Sequence, residues 1–166
     1  KFTQKKSSFK ESEPDSVSSK SNEIGQQSMH KDKRINSSLN EILKINNDFD
    51  ISEFLDGAKK AFEYILSQYS KNDLKSLEKL LSKTILKVFQ DQTKIREKNS
   101  ESLEITVISV KDPEILDVKI EKKTIALVIL SFDSEQIQIT KDKKGSIVDG
   151  DPNQILSIKE NWTFSK

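Results

Sequence analysis

The chain has 166 residues, of which 33% are apolar and 33% charged, so it is about one domain long but thin in core-forming side chains for a domain that fills all of it. Its 28 basic and 27 acidic side chains cancel to +1, which leaves no overall field of the kind that drives strong nucleic-acid binding; an electrostatic partner must be read by a local patch. Zero cysteines exclude disulfides, thiolate nucleophiles and sulfur-ligated metals.

Residue 1 is Lys rather than Met, so the chain is expected to be a fragment or processed product, and no signal-peptide pattern opens it. From Lys1 to Arg34 the sequence is polar, and Phe2, Phe9, Val17, Ile24 and Met29 follow neither helical nor strand spacing. Residues 1–34 therefore read as a disordered tether that buries too little to offset ordering entropy, with Phe2 and Phe9 as anchors should it fold on a partner. Over 35–49, Ile35, Leu39, Ile42, Leu43 and Ile45 fall mostly at helical spacing and predict a short amphipathic helix.

The domain proper is expected over 50–166. Asp50-Ile51-Ser52-Glu53 is a capping box that starts a strong helix. Its apolar face is Ile51, Phe54, Leu55, Ala58, Ala61, Phe62, Ile65, Leu66 and Tyr69. Gly57 interrupts this helix, and tight contact with the sheet or a neighbouring helix would account for it. Asn72-Asp73 ends the helix and caps a second one, with Leu74, Leu77, Leu80, Leu81, Ile85, Val88 and Phe89 on its inner side and Ser82-Lys83 as a candidate break.

After Ser100 the period changes to two. Leu103, Ile105 and Val107 alternate, Asp112-Pro113 interrupts, and Leu116, Val118 and Ile120 resume, giving one bent strand or two short ones. Over Thr124–Thr140 the apolar parity shifts between Phe132 and Ile137, which predicts a bulge near Asp133–Gln136. Turns at Lys143-Lys144-Gly145 and Asp149-Gly150-Asp151-Pro152 lead to a last strand carrying Leu156, Ile158, Trp162 and Phe164. Helices followed by an antiparallel meander predict an α+β fold with helices on one side of a curved sheet.

Little catalytic chemistry is visible. His30 is the only histidine and lies in the expected tether, so neither a Ser/His/Asp triad nor a histidine-bearing zinc site can be assembled. The four isolated glycines form no phosphate loop, and Asp149 and Asp151 lack the further ligands of a calcium loop. No catalytic residue, cofactor or metal is expected. Glu160, at the inward parity of the last strand, is the one carboxylate that could serve an acid–base enzyme. Lys71, Lys75, Lys79, Lys83 and Lys87 recur every fourth residue and would form a basic ridge on a continuous helix, suited to anionic lipid headgroups or an acidic partner. The longest apolar run, Ile125 to Leu130, is far below the roughly 20 residues that span a bilayer.

Phe54-Leu55-Asp56-Gly57-Ala58-Lys59-Lys60-Ala61-Phe62-Glu63-Tyr64-Ile65, then Asn72-Asp73-Leu74 and Leu77 with Leu80-Leu81, resemble the Tim forty-four-like family. That family includes a subunit of the mitochondrial inner-membrane presequence translocase and alphaproteobacterial relatives. Ser134-Glu135-Gln136, the Val148-Asp149-Gly150-Asp151-Pro152 turn and Trp162-Thr163-Phe164 agree. The resemblance covers about Asp48 to Lys166; Asn72 stands where a glycine is expected, and the tether has no counterpart of the chaperone- and channel-binding segments. It implies a nuclear transport factor two-like cone, peripheral association with an inner membrane on its cytoplasmic or matrix-equivalent side, and a non-enzymatic role in protein translocation or membrane-protein biogenesis. An upstream anchor would also fit.

The expected partners are anionic membrane lipids and translocation-machinery or chaperone proteins, with no nucleic acid. Since 35–49 occupies the place of the family's membrane-binding helices, Leu39, Ile42, Leu43 and Ile45 are the candidate membrane contacts. Truncation at Asp50, or Ile42→Asp with Leu43→Asp, should then weaken membrane binding and leave the core folded. The competing expectation is a small-molecule-binding or isomerase-type enzyme that uses the cone pocket, with Glu160 inside it.

Overall fold

A computed structural model describes residues 30–165; the first 29 residues of the expected tether, with Phe2 and Phe9, lie outside them. Helix α1 (Lys33–Ile45) starts where the Asp32 carboxylate accepts from the Arg34 amide at 2.8 Å. Ile35, Leu39 and Ile42 share one face at i, i+4 and i+7, and that face is buried. Helix α2 (Ile51–Ser70) starts at the Asp50 side chain, which accepts from the Glu53 amide at 2.8 Å. It buries Ala58, Phe62, Ile65 and Leu66 and ends at Asn72, whose φ of 58° is a left-handed turn conformation that Asn tolerates. Gly57 is exposed, and a Cβ there would meet nothing within 4 Å, so no close contact explains it.

The second helix of the sequence reading is two helices. Helix α3 (Leu74–Leu77) is a single turn capped by Asp73; the chain then turns and restarts at the Ser82 cap as α4 (Lys83–Asn99). Residues before and after the break no longer share one helical phase. Leu77 is fully buried, but Leu80, Ile85 and Val88, expected on the inner side, are exposed.

Five strands follow: β1 (Ser102–Val110), β2 (Glu114–Glu121), β3 (Ile125–Lys141), β4 (Ile147–Gly150) and β5 (Leu156–Ser165). They do not form a meander, because the other four all pair antiparallel with the long β3. β1 pairs with the C-terminal half of β3 and β2 with the N-terminal half, along one edge; β5 and β4 follow each other along the opposite edge. The expected bulge near Asp133–Gln136 is absent. β3 and β5 pair in continuous register from Leu127–Ser165 to Gln136–Leu156, and the extra residues lie instead in the partner strands: in β1 between Val107 and Ser109, opposite Glu135 and Gln136, in β2 between Ile115 and Asp117, and in β4 between Ile147 and Asp149.

The apolar parity of β3 gives way because the inner row continues into polar residues. After Val128, Leu130 and Phe132 come Ser134 and the fully buried Gln136. Gln136 donates to the Ser134 hydroxyl at 2.8 Å and accepts from Gln138 at 2.9 Å, so its burial leaves the amide satisfied. The core lies between this inner face and helices α1 and α2, with Phe62 stacked on Phe132 at 4.5 Å and edge-on to Trp162 at 4.9 Å.

Candidate functional site

An apolar pocket of about 110 Å³ opens where α1 ends against the sheet. The last helical bond of α1 runs from the Asn46 amide to the Ile42 carbonyl at 2.8 Å; Asn46 then takes extended backbone angles, φ −137° and ψ 99°, and its side chain accepts from the Asp48 amide at 3.2 Å and turns the chain. This sends Phe49 into the core, 5.6 Å from the Phe54 ring, which in turn meets Phe164 edge-on at 6.0 Å. From the sheet side, Lys122 and Lys123 adopt φ of 50° and 61° and reverse the chain tightly between β2 and β3, delivering Thr124, Ala126 and Val128. Ile42, Ile45, Asn46, Phe49, Phe54, Phe164 and Ser165 complete the wall.

No residue of that lining is titratable, so the pocket selects by shape and apolarity and offers no proton transfer. Its neighbours in sequence carry both signs: exposed Lys44 precedes Ile45 and exposed Lys122 and Lys123 precede Thr124, while exposed Asp48 precedes Phe49 and Glu121 precedes Lys122.

The expected membrane contacts separate here. Leu39 and Ile42 are buried against the sheet and Leu43 packs on the core, whereas Ile45 is 53% exposed at the pocket lip. The five lysines do not lie on one helix: Lys71 caps α2, Lys75 is in α3, Lys79 in the following turn, and Lys83 and Lys87 in α4. All five are exposed, and none lines the pocket.

Glu160 lies on the inner face of β5, paired with Phe132 and beside Trp162, but outside the pocket lining. β5 pairs only with β3 among the described strands, and an inward carboxylate on such an edge discourages pairing with another chain. Burial pushes the Glu160 carboxyl up, opposed in part by a hydrogen bond with Trp162. A raised folded-state pKa means that the fold holds this proton more tightly than the unfolded chain does. The associated stability is present below the ordinary carboxylate range and is lost as pH rises through the raised value. Glu160→Gln should therefore gain in melting temperature relative to the parent, and the gain should grow as pH rises out of the ordinary carboxylate range. Melts with a pH-independent gap between the two proteins would count against a strained carboxylate.

One buried arrangement carried no signal in the sequence. Arg96 of α4 donates to the Tyr69 hydroxyl at 2.9 Å, to Asn72 at 3.1 Å and to Thr93 at 3.2 Å, with its guanidinium 4.6 Å from the Tyr69 ring centroid. Phe89 packs against the same tyrosine, its ring tilted by 39° at 4.4 Å between centroids. These contacts fasten α4 to the end of α2, and nothing in the spacing of five residue types over 28 positions announces them.

Residues 35–166 match the Tim44-like domain family. The chain belongs to that family. Tim44-like domains are α+β folds of the nuclear transport factor two-like kind, in agreement with four helices and a five-stranded antiparallel sheet among the described residues. The family is associated with protein translocation and with membranes in translocation systems, and its members are generally non-enzymatic modules. No helix in the described part of this Tim44-like chain is long and apolar enough to cross a membrane. Comparison with curated proteins returns no match. Among solved structures, the Tim44-like chain is similar to the intermembrane space region of the chloroplast protein ARC6, at 15% identity over 64% of this chain and 82% of that one, with a TM-score of 0.37.

Proposed function

We propose that this Tim44-like domain is a non-enzymatic binding module peripheral to an inner membrane, serving protein translocation or membrane-protein biogenesis through lipid and protein contacts. The observation that carries the reading is the pocket between α1, the β2–β3 turn and β5, lined mostly by apolar side chains and bordered in sequence by Lys44, Lys122 and Lys123. An apolar bottom with cations at the lip suits the end of an acyl chain beneath an anionic headgroup.

The magnitudes make this contact reversible. A pocket of about 110 Å³ takes only a few methylenes, at roughly 0.8 kcal/mol each, and each lysine near an anionic surface adds roughly 1 kcal/mol. Neither contribution anchors a protein alone. Flotation of the full chain should therefore recover it on vesicles containing phosphatidylglycerol or cardiolipin, not on neutral ones, and high salt should release it. Ile45→Asp, at an exposed position, should lower the affinity about tenfold without loss of fold. Equal recovery on neutral and anionic vesicles, or none on either, would remove the lipid contact from this account.

A further inference from the structure

Helix α4 presents an apolar seam that no other described residue covers. Ile85, Val88 and Ile95 are 45%, 51% and 53% exposed, and exposed Gln92 lies between the last two. Their spacing of three, four and three residues is the a/d repeat of helices that pack side by side, with Gln92 as a polar register residue. The seam cannot turn inward. Thr93 is buried, and Phe89 and Arg96 are held on Tyr69, so the neighbouring strip of α4 is already committed to α2.

On the opposite side of the seam run Lys87, Lys94 and Lys98, with Asp91 the one acidic residue among them, 3.3 Å from Lys87. A helix laid along α4 would thus meet apolar side chains in the middle and cations on its open flank. We propose that this face of α4 is a docking surface for an amphipathic helix of a partner protein, apolar along one stripe and acidic beside it. A second copy of this chain fits poorly, because two α4 helices in contact would bring lysine flanks together.

The proposal gives a chemistry to the protein partner of the proposed function and rests on that reading for the partner's existence. The membrane is the less suitable occupant. α2 runs from Phe54 at the pocket to Tyr69 beside α4, about 23 Å at 1.5 Å per residue, so the seam is a separate surface from the pocket mouth to which the proposed function gives the lipid.

The probe is a synthetic helix about three heptads long with leucines at a and d and glutamates on the flanks, compared with the same peptide carrying lysines there. The full chain should bind the acidic peptide saturably and more weakly as salt rises, with amide shifts confined to α4 and its neighbours, and should ignore the basic peptide. Val88→Asp with Ile95→Asp should weaken binding at least about tenfold while flotation on anionic vesicles is unchanged. Lys87→Glu with Lys94→Glu, which disturbs no apolar packing, serves as the second variant and should act in the same direction. No saturable binding, shifts centred on the pocket, or equal binding of both peptides would overturn the proposal. Loss of vesicle binding in the α4 variants without peptide binding would do so as well, giving the surface to the membrane. Failure of Ile45→Asp to affect flotation bears on the pocket alone.

Discussion

Phe62→Ala is expected to lower the stability of the domain by about 3–5 kcal/mol, the range for deleting a fully buried aromatic ring from a core. Phe62 sits in the middle of α2 with no exposed surface, its ring 5° from parallel to that of Phe132 and at 61° to Trp162. Truncation removes the ring's transfer energy and leaves a void bounded by β3 and β5, whose continuous pairing lets the sheet relax little. Domains of this size are stable by about 5–15 kcal/mol, so the variant should be marginal at ambient temperature. Urea unfolding followed by Trp162 fluorescence measures it directly, since the indole packs edge-on against the Phe62 ring. A loss below about 1 kcal/mol would mean that Phe62 does not organise this core.

Removal of α1 should unfold the domain. This reverses the expectation that truncation at Asp50 spares the core. α1 buries Ile35, Leu39 and Ile42 in the same cluster as Phe62, Val118, Val128 and Leu130, and its loss bares the inner face of the sheet at β2. Each of those three side chains contributes roughly 2–5 kcal/mol by the measure of truncation to alanine, which together rivals the whole stability of a small domain. A chain starting at Asp50 should therefore lose cooperative unfolding and near-ultraviolet circular dichroism. Ile42→Asp with Leu43→Asp should do nearly the same, because the aspartate at Ile42 would be a buried charge without a partner. Consequently neither variant can report on membrane binding, and Ile45→Asp is the informative substitution. A truncated chain that melts cooperatively near the parent temperature would show that α1 is an appendage after all.

Local patterns are enough to read much of this protein from its sequence. The Asp50–Glu53 cap and the period of α2 depend on neighbours within one or two turns, as does the left-handed Asn72, and each is found where those residues require it. Alternation locates β1, β2, β3 and β5, but not β4, whose Asp149-Gly150 reads as a turn and becomes a strand only by pairing with Ile139 and Thr140; helices followed by strands give the α+β class. The family follows from blocks of side chains spread over the same elements.

Long-range placement decides the rest. Ile35, Leu39 and Ile42 read equally well as a membrane-facing stripe or a core-facing one, since amphipathicity specifies that a face is covered and not by what. Only contact with β2 and the rest of the sheet makes it core and leaves Ile45 at the lip of a pocket. The five lysines keep their spacing but lose their common axis, because the chain turns between Leu77 and Lys83 and the phase of a helix does not survive a turn. Gln136 reads as part of a bulge because a polar residue at an inner position looks like a change of parity. Its burial depends on Ser134 and Gln138, whose side chains share its row only because β3 itself runs unbroken from Ile125 to Lys141. The pocket and the outward seam of α4 belong to the same class: each is a surface left over after distant elements have packed, and no local spacing records what remains uncovered.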